Sequence, residues 1–253
     1  MIFLKNCLFY FMTIVFTIVI FFVFGIILIF IHLVSSKKMA QKTLRYLILW
    51  YGKLIIYGFA RPLVTVRFID SSNEIRSKGP CVYVANHRSA SDAFLMGVLS
   101  GELVQVVNLW PFKIPILGLC ANLAGYLNIR NMPFNDFSNQ CKHLFAQNVS
   151  IIGFPEGTRS TSSQTGPFHG ALFRVAKENK VNIVPICILG NEDKPRRKSL
   201  IINPGEIQIH KLAAIDYNEY QDMSDYELKN HVRTQIQTFL DKQTNIDKQA
   251  GSI

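Results

Sequence analysis

Residues 1 to 69 contain no aspartate and no glutamate, yet carry Lys5, Lys37, Lys38, Lys42, Arg45, Lys53, Arg61 and Arg67. One-sided charge on so apolar a segment argues for a partner whose surface is negative. Nucleic acid is the poorer match, because the cations are interleaved with Leu, Ile and aromatics. A bilayer containing anionic lipid accepts both characters at once. The chain also lacks any Cys-x-x-Cys pair: its 5 cysteines, Cys7, Cys81, Cys120, Cys141 and Cys187, are scattered and odd in number. That pattern excludes a zinc ribbon and a disulfide framework, and reads as small buried hydrophobes in a reducing compartment. A Gly-x-Ser-x-Gly elbow is missing, which removes the usual signature of a serine hydrolase. Neither an internal repeat nor a low-complexity tract is present.

What remains is unevenly apolar. Hydrophobic residues make up 49% of the 253 residues and mean hydropathy is +0.20, with the excess at the start. Leu8 to Val34 has no Asp, Glu, Lys or Arg. As a helix it would be about 40 Å long, more than the roughly 30 Å hydrocarbon core, so a tilted span is expected. A secretory leader fits less well, since the run is long and no small-x-small cleavage site follows. Lys37, Lys38, Lys42 and Arg45 after the run outweigh Lys5 before it, placing the C-terminal bulk in the cytoplasm. Thr43 to Ala60 is apolar and aromatic but holds Lys53, so an interfacial or re-entrant helix folded against the first is expected. A core helix of the following domain is the alternative.

From Val64 the texture changes to strand-length apolar runs: 64–69, 81–85, 103–107, 149–154, 183–189 and 207–212. Helix-sized segments fall between them at 92–99, 135–147 and 170–180. The alternation predicts an α/β fold with a mixed, largely parallel sheet flanked by helices. Ser224 with Glu227 makes a capping box for a last amphipathic helix, expected to end near Lys242. The expected divisions are an anchor over 1–61, an α/β domain over 62–245 and a frayed polar tail over 246–253.

Two motifs carry chemistry. In Phe154-Pro155-Glu156-Gly157-Thr158-Arg159-Ser160, Pro155 cannot join a strand ladder and Gly157 tolerates unusual backbone angles. The chain should therefore leave the sheet there and expose a carboxylate and a guanidinium suited to phosphate. Upstream, Asn86-His87-Arg88-Ser89-Ala90-Ser91-Asp92 follows a buried-looking strand, where open α/β sheets place their sites. Five residues along a helix turn a side chain about 140° away, so His87 and Asp92 meet only with His87 in the loop and Asp92 at the helix start. Asp92 would then hold one imidazole nitrogen and leave the other for a proton. A helix-capping Asp92 beside a solvent-facing His87 reads equally well from the residues alone.

Together and in this order, the two motifs resemble the glycerolipid acyltransferase family, specifically its 1-acylglycerol-3-phosphate (lysophosphatidate) acyltransferases. The likeness runs over roughly residues 60 to 215. Trp110-Pro111-Phe112-Lys113-Ile114-Pro115-Ile116-Leu117-Gly118, on to Gly125 and Arg130, resembles the family's middle block, and Val184-Pro185-Ile186 its last. Ile129 departs from the polar residue usual before that arginine. The resemblance implies a direct acyl transfer in which His87 is the general base on a lysophospholipid hydroxyl and Asp92 orients it. Glu156, Gly157, Thr158 and Arg159 would bind the glycerol phosphate, with Arg130 and Lys113 as further contacts. For Glu156 an ion pair with Arg159 is the structural alternative. The expected partners are the bilayer, the lysophospholipid acceptor, and acyl-CoA or acyl carrier protein as donor. No metal, organic cofactor or nucleic acid is expected, and the protein should act as a monomer.

Overall fold

The computed structural model describes residues 2–71, 79–107, 115–160, 162–196 and 198–250. Its sheet contains β1 (Val64–Asp70), β2 (Cys81–Ala85), β3 (Leu103–Val107), β4 (Leu127–Asn128), β5 (Ser150–Gly153), β6 (Asn182–Leu189) and β7 (Gly205–Lys211). The strands lie in the order β1-β7-β6-β2-β5-β3-β4, and all neighbours are parallel except β6 and β7. This is the mixed, largely parallel sheet that the strand-helix alternation implies. Strand β2 sits centrally with all its residues buried, as a strand covered on both faces must. The two-residue β4 is too short to leave a hydrophobic pattern in the sequence.

Alternate side chains feed two cores. Val82, Val84 and Ile151 face α5 (Phe134–Ala146), α6 (Ala171–Asn179) and α8 (Asp225–Ala250), meeting Phe137, Phe173, Val232 and Ile236. Tyr83, Ala85 and Ile152 face the opposite layer, where α2 (Lys37–Leu54) and α3 (Asp92–Leu95) supply Leu49 and Leu95. The domain also contains the short helices α4 (Pro115–Ala124) and α7 (Tyr217–Tyr220). The last helix does not stop near Lys242 but continues to Ala250, because no Gly or Pro interrupts it before Gly251. Residues 246–250 are therefore helical instead of a frayed tail.

The apolar start forms α1 (Ile2–Val34), which is long and apolar enough to cross a membrane. Ser36 caps α2 by accepting from Met39 N at 3.3 Å, so the two helices form an antiparallel hairpin. Phe16 stacks on Tyr51, Phe24 meets Trp50, and Thr17 Oγ1 lies 2.6 Å from the Tyr51 hydroxyl. Helix α2 also belongs to the domain. Its Gly52 meets Gly97 so closely that a Cβ on Gly97 would lie 3.1 Å from Leu49 O. Arg45 is buried and donates to Ala124 O and Glu102, both at 2.7 Å. The helix thus folds back against the first as expected and also packs into the core of the following domain, while Tyr46, Trp50 and Tyr57 remain exposed, and packing runs without a break across residue 61.

Candidate active site

Register explains why the two motifs meet. Val84 of β2 is paired with Gly153 of β5, and His87 and Glu156 each lie three residues beyond, past the carboxyl ends of parallel neighbours. Ligand sites of open α/β sheets lie at this edge. Asn86 extends the sheet through its side chain: Nδ2 donates to Ile188 O at 2.9 Å, and Oδ1 accepts from Ile188 N at 2.7 Å. This carries the chain out of β2 in a fixed direction. His87 N–H then donates to Glu156 Oε1 at 2.8 Å, and Ser160 N–H donates to His87 O at 2.8 Å.

The imidazole held by this double grip is partly exposed. His87 Nδ1 lies 2.8 Å from Asp92 Oδ2, and the ring rests on Phe154 with centroids 4.6 Å apart. Asp92 stands at the start of α3 and is fully buried. Its carboxylate accepts from Arg88 N at 2.8 Å, Ser89 N at 2.9 Å and Asn191 Nδ2 at 2.7 Å. A buried carboxylate so supplied with donors stays an acceptor, which selects the tautomer with the proton on His87 Nδ1. Nε2 has no hydrogen-bond partner among the described residues and is free to take a proton. The dyad reading therefore holds over the capping alternative.

The turn after β5 differs from the expectation for Glu156. It does not project outward to meet ligand, nor does it pair with Arg159. The carboxylate turns inward, 7% exposed, with Oε1 on His87 N and Oε2 accepting from Gly166 N at 2.8 Å. The cause is the unpaired amides that two chain segments leave when they exit the sheet side by side: a buried carboxylate can satisfy both. Burial raises its pKa above the ordinary glutamate range, opposed by the same two amides. Gly157 takes φ +68°, and a Cβ there would lie 3.2 Å from the His169 ring, so glycine is required on two counts. Gly157 and Thr158 are exposed. Arg159 is half-buried, and its guanidinium has no hydrogen bond or ion pair among the described residues.

Of the remaining expected residues, Arg130 lies apart from the dyad. Arg130 is exposed in the 3-10 turn Ile129–Asn131 after β4, its backbone N–H donating to Asn128 Oδ1 at 3.2 Å. Three strand spacings, roughly 14 Å, separate β4 from β2. Lys113 lies outside the described residues, as does most of the block from Trp110.

One residue of the site, Asn191, has no distinct sequence signal. Asn191 reads as turn chemistry after Gly190. Ser89 and Ser91 both donate to Lys194 O at 2.8 Å, and buried Arg88 pairs with Glu192. Beside this cluster lies an open-mouthed apolar cavity of about 120 Å³, walled by Phe21, Phe24, Tyr51, Ala90, Phe94 and Leu117. Ala90 lies between the two dyad residues in the chain, so one wall of the cavity is the dyad turn itself.

Comparison with known proteins agrees with this fold. The Acyltransferase family matches residues 65–189, a span that holds β2, β5, β6, the dyad and the glutamate turn. This span belongs to the acyltransferase family. Among its relatives, the chloroplastic 1-acyl-sn-glycerol-3-phosphate acyltransferase BAT2 of Brassica napus is 32% identical over 141 residues, 53% of this chain and 41% of that protein. The 1-acyl-sn-glycerol-3-phosphate acyltransferase of Escherichia coli is 26% identical over 211 residues, 78% of this chain and 84% of that protein. The chain spans about half the length of the plant and algal acyltransferases it matches. The crystal structure of the Thermotoga maritima acyltransferase PlsC has the same fold, with a TM-score of 0.76 at 22% identity over 95% of each chain.

Proposed function

We propose that this acyltransferase moves a fatty acyl group from the thioester of acyl-CoA or acyl carrier protein to the free sn-2 hydroxyl of 1-acylglycerol-3-phosphate. The product is phosphatidate, and the process is phospholipid synthesis. The supporting observation is the His87–Asp92 pair with an open Nε2, beside a turn that carries the unpaired Arg159.

Nε2 takes the hydroxyl proton as the oxygen attacks the thioester carbonyl. The tetrahedral adduct collapses, the C–S bond breaks, and the leaving sulfur receives that proton from the imidazolium. Asp92 stabilises the imidazolium formed in between, and no acyl-enzyme arises. A positioned base contributes about 100- to 10,000-fold, enough for an already activated ester. Glu156 works through His87 by fixing its backbone. Arg159 clamps the acceptor phosphate, with Arg130 and Lys113 as outer contacts, while Gly157 and Thr158 shape the turn. The apolar cavity takes an acyl chain, because its walls are mostly aliphatic and aromatic side chains and it opens beside the dyad turn. The reaction needs neither metal nor organic cofactor, and one copy of the chain carries all these groups.

The bilayer is both anchor and substrate store. Asn6 and Phe24 are buried while Phe3, Leu8, Phe11, Phe22 and Phe30 are exposed, so α1 presents one face to the protein and another to lipid along its length. Contact with the domain from residue 6 to residue 24 covers about 27 Å at the helical rise, which favours an in-plane helix over a perpendicular span. The cations 37 to 42 suit the anionic cytoplasmic leaflet. A thiol-release assay with palmitoyl-CoA and lysophosphatidate tests the reaction. Acceptor-dependent release should vanish in His87→Ala, and Arg159→Ala should raise the acceptor's KM well above its effect on the thioester's. Undiminished release by His87→Ala overturns the mechanism.

A further inference from the structure

The segment between β6 and β7 ties the catalytic turn to the membrane helix. At its start Asn191 holds Asp92; at Lys194 its carbonyl takes the hydroxyls of Ser89 and Ser91. Toward its end Ile202 exchanges two hydrogen bonds with Asn6 of α1, at 2.8 and 3.0 Å, and the Tyr10 hydroxyl donates to Leu200 O at 2.6 Å. The loop is internally braced, Asn203 bonding Asp193 through both backbone and side chain. On this braced frame Leu200 is 75% exposed and Ile201 46% exposed. They flank the start of α1, where Phe3 and Leu4 are each 72% exposed, and Arg196 and Lys198 stand exposed on the same loop.

We propose that Leu200 and Ile201 form a second membrane-seated element, inserted beside α1 into a bilayer containing anionic lipid. Two aliphatic side chains fixed outward are costly in water, and a rigid loop cannot fold them away. Their apolar surface continues the exposed face of α1 through direct hydrogen bonds, and the flanking cations match anionic headgroups. The loop then sets the depth of the site: the residues that hold Asp92 belong to the same short segment that rests in the lipid. This inference rests on the reading of α1 as a helix lying in the bilayer.

The test uses the full chain in vesicles of phosphatidylcholine and phosphatidylglycerol, with and without lipid carrying a nitroxide quencher. Cys7 is the exposed native cysteine, the other four being buried, so a fluorophore on it reports α1. In a Cys7→Ser background the fluorophore is placed at Leu200→Cys, at Ile201→Cys as a second variant, and at exposed Asp222→Cys in the opposite layer as control. Several-fold stronger quenching at 7 and at 200 or 201 than at 222, with matching protection from aqueous iodide, is the expected result. Quenching at 7 but at neither 200 nor 201 overturns the loop proposal alone. Failure at 7 overturns the reading of α1 and the proposal with it, and equal quenching at 222 overturns the specificity of the loop.

Discussion

Replacing Glu156 by alanine separates the two roles open to this carboxylate. Its oxygens take the backbone N–H groups of His87 and Gly166, each at 2.8 Å, in a site 7% exposed to solvent. Hydrogen bonds to a charged acceptor contribute about 1.5–3 kcal/mol each, and truncation strands two buried donors. Burial opposes the charged form, which the raised pKa reflects, so a combined loss of about 3 kcal/mol is expected. For a chain of this size that is a fall in melting temperature of roughly 6–12 °C. The kinetic loss falls on turnover, because a backbone freed at His87 displaces the imidazole. A displacement of about 1 Å costs about 100-fold. Differential scanning fluorimetry in detergent gives the first number, and thiol release at saturating and limiting lysophosphatidate gives kcat and KM. An unchanged melting temperature and kcat with a strongly raised acceptor KM would refute the reasoning, because that pattern belongs to a direct ligand of the phosphate.

Asn191→Ala removes one donor from Asp92 and leaves three, so kcat should fall about tenfold or more. Thiol release at saturating acceptor checks this, and an unchanged kcat would mean that the three remaining donors suffice to hold the carboxylate. Gly97→Val drives a side chain against Leu49 O and Gly52 at about 3 Å and should lower stability by about 1–3 kcal/mol, read as a melting-temperature shift. Burial lowers the pKa of His210. The unfolded chain therefore takes up a proton at this residue before the folded one does, and stability should fall as pH drops through the ordinary histidine range. Chemical denaturation of His210→Gln across that range should show a shallower fall; parallel curves would exclude the residue as a source of the slope.

The alternation of apolar runs and helix-sized segments was enough to specify a largely parallel sheet, because strands buried on both faces need continuous Val and Ile. The motif around His87 and Asp92 limited its own geometry, since only a loop position for one and a helix start for the other lets them touch, but it left a capping Asp92 equally open until the fold brought the pair to 2.8 Å. The apolar, cation-studded start was equally plain from composition. Tertiary structure decided what depends on neighbours far away in the chain. Glu156 turned inward because parallel pairing of β2 with β5 brings the His87 amide beside it, and no local pattern encodes a contact across that distance. Asn191 reached Asp92 through the packing of β6 against β2. Helix α2 joined the core because Gly52 and Gly97 permit a close crossing, and the sequence alone does not pair two glycines so far apart. Composition and periodicity report the environment of each segment, whereas the partners of a buried charge follow from which segments the sheet makes adjacent.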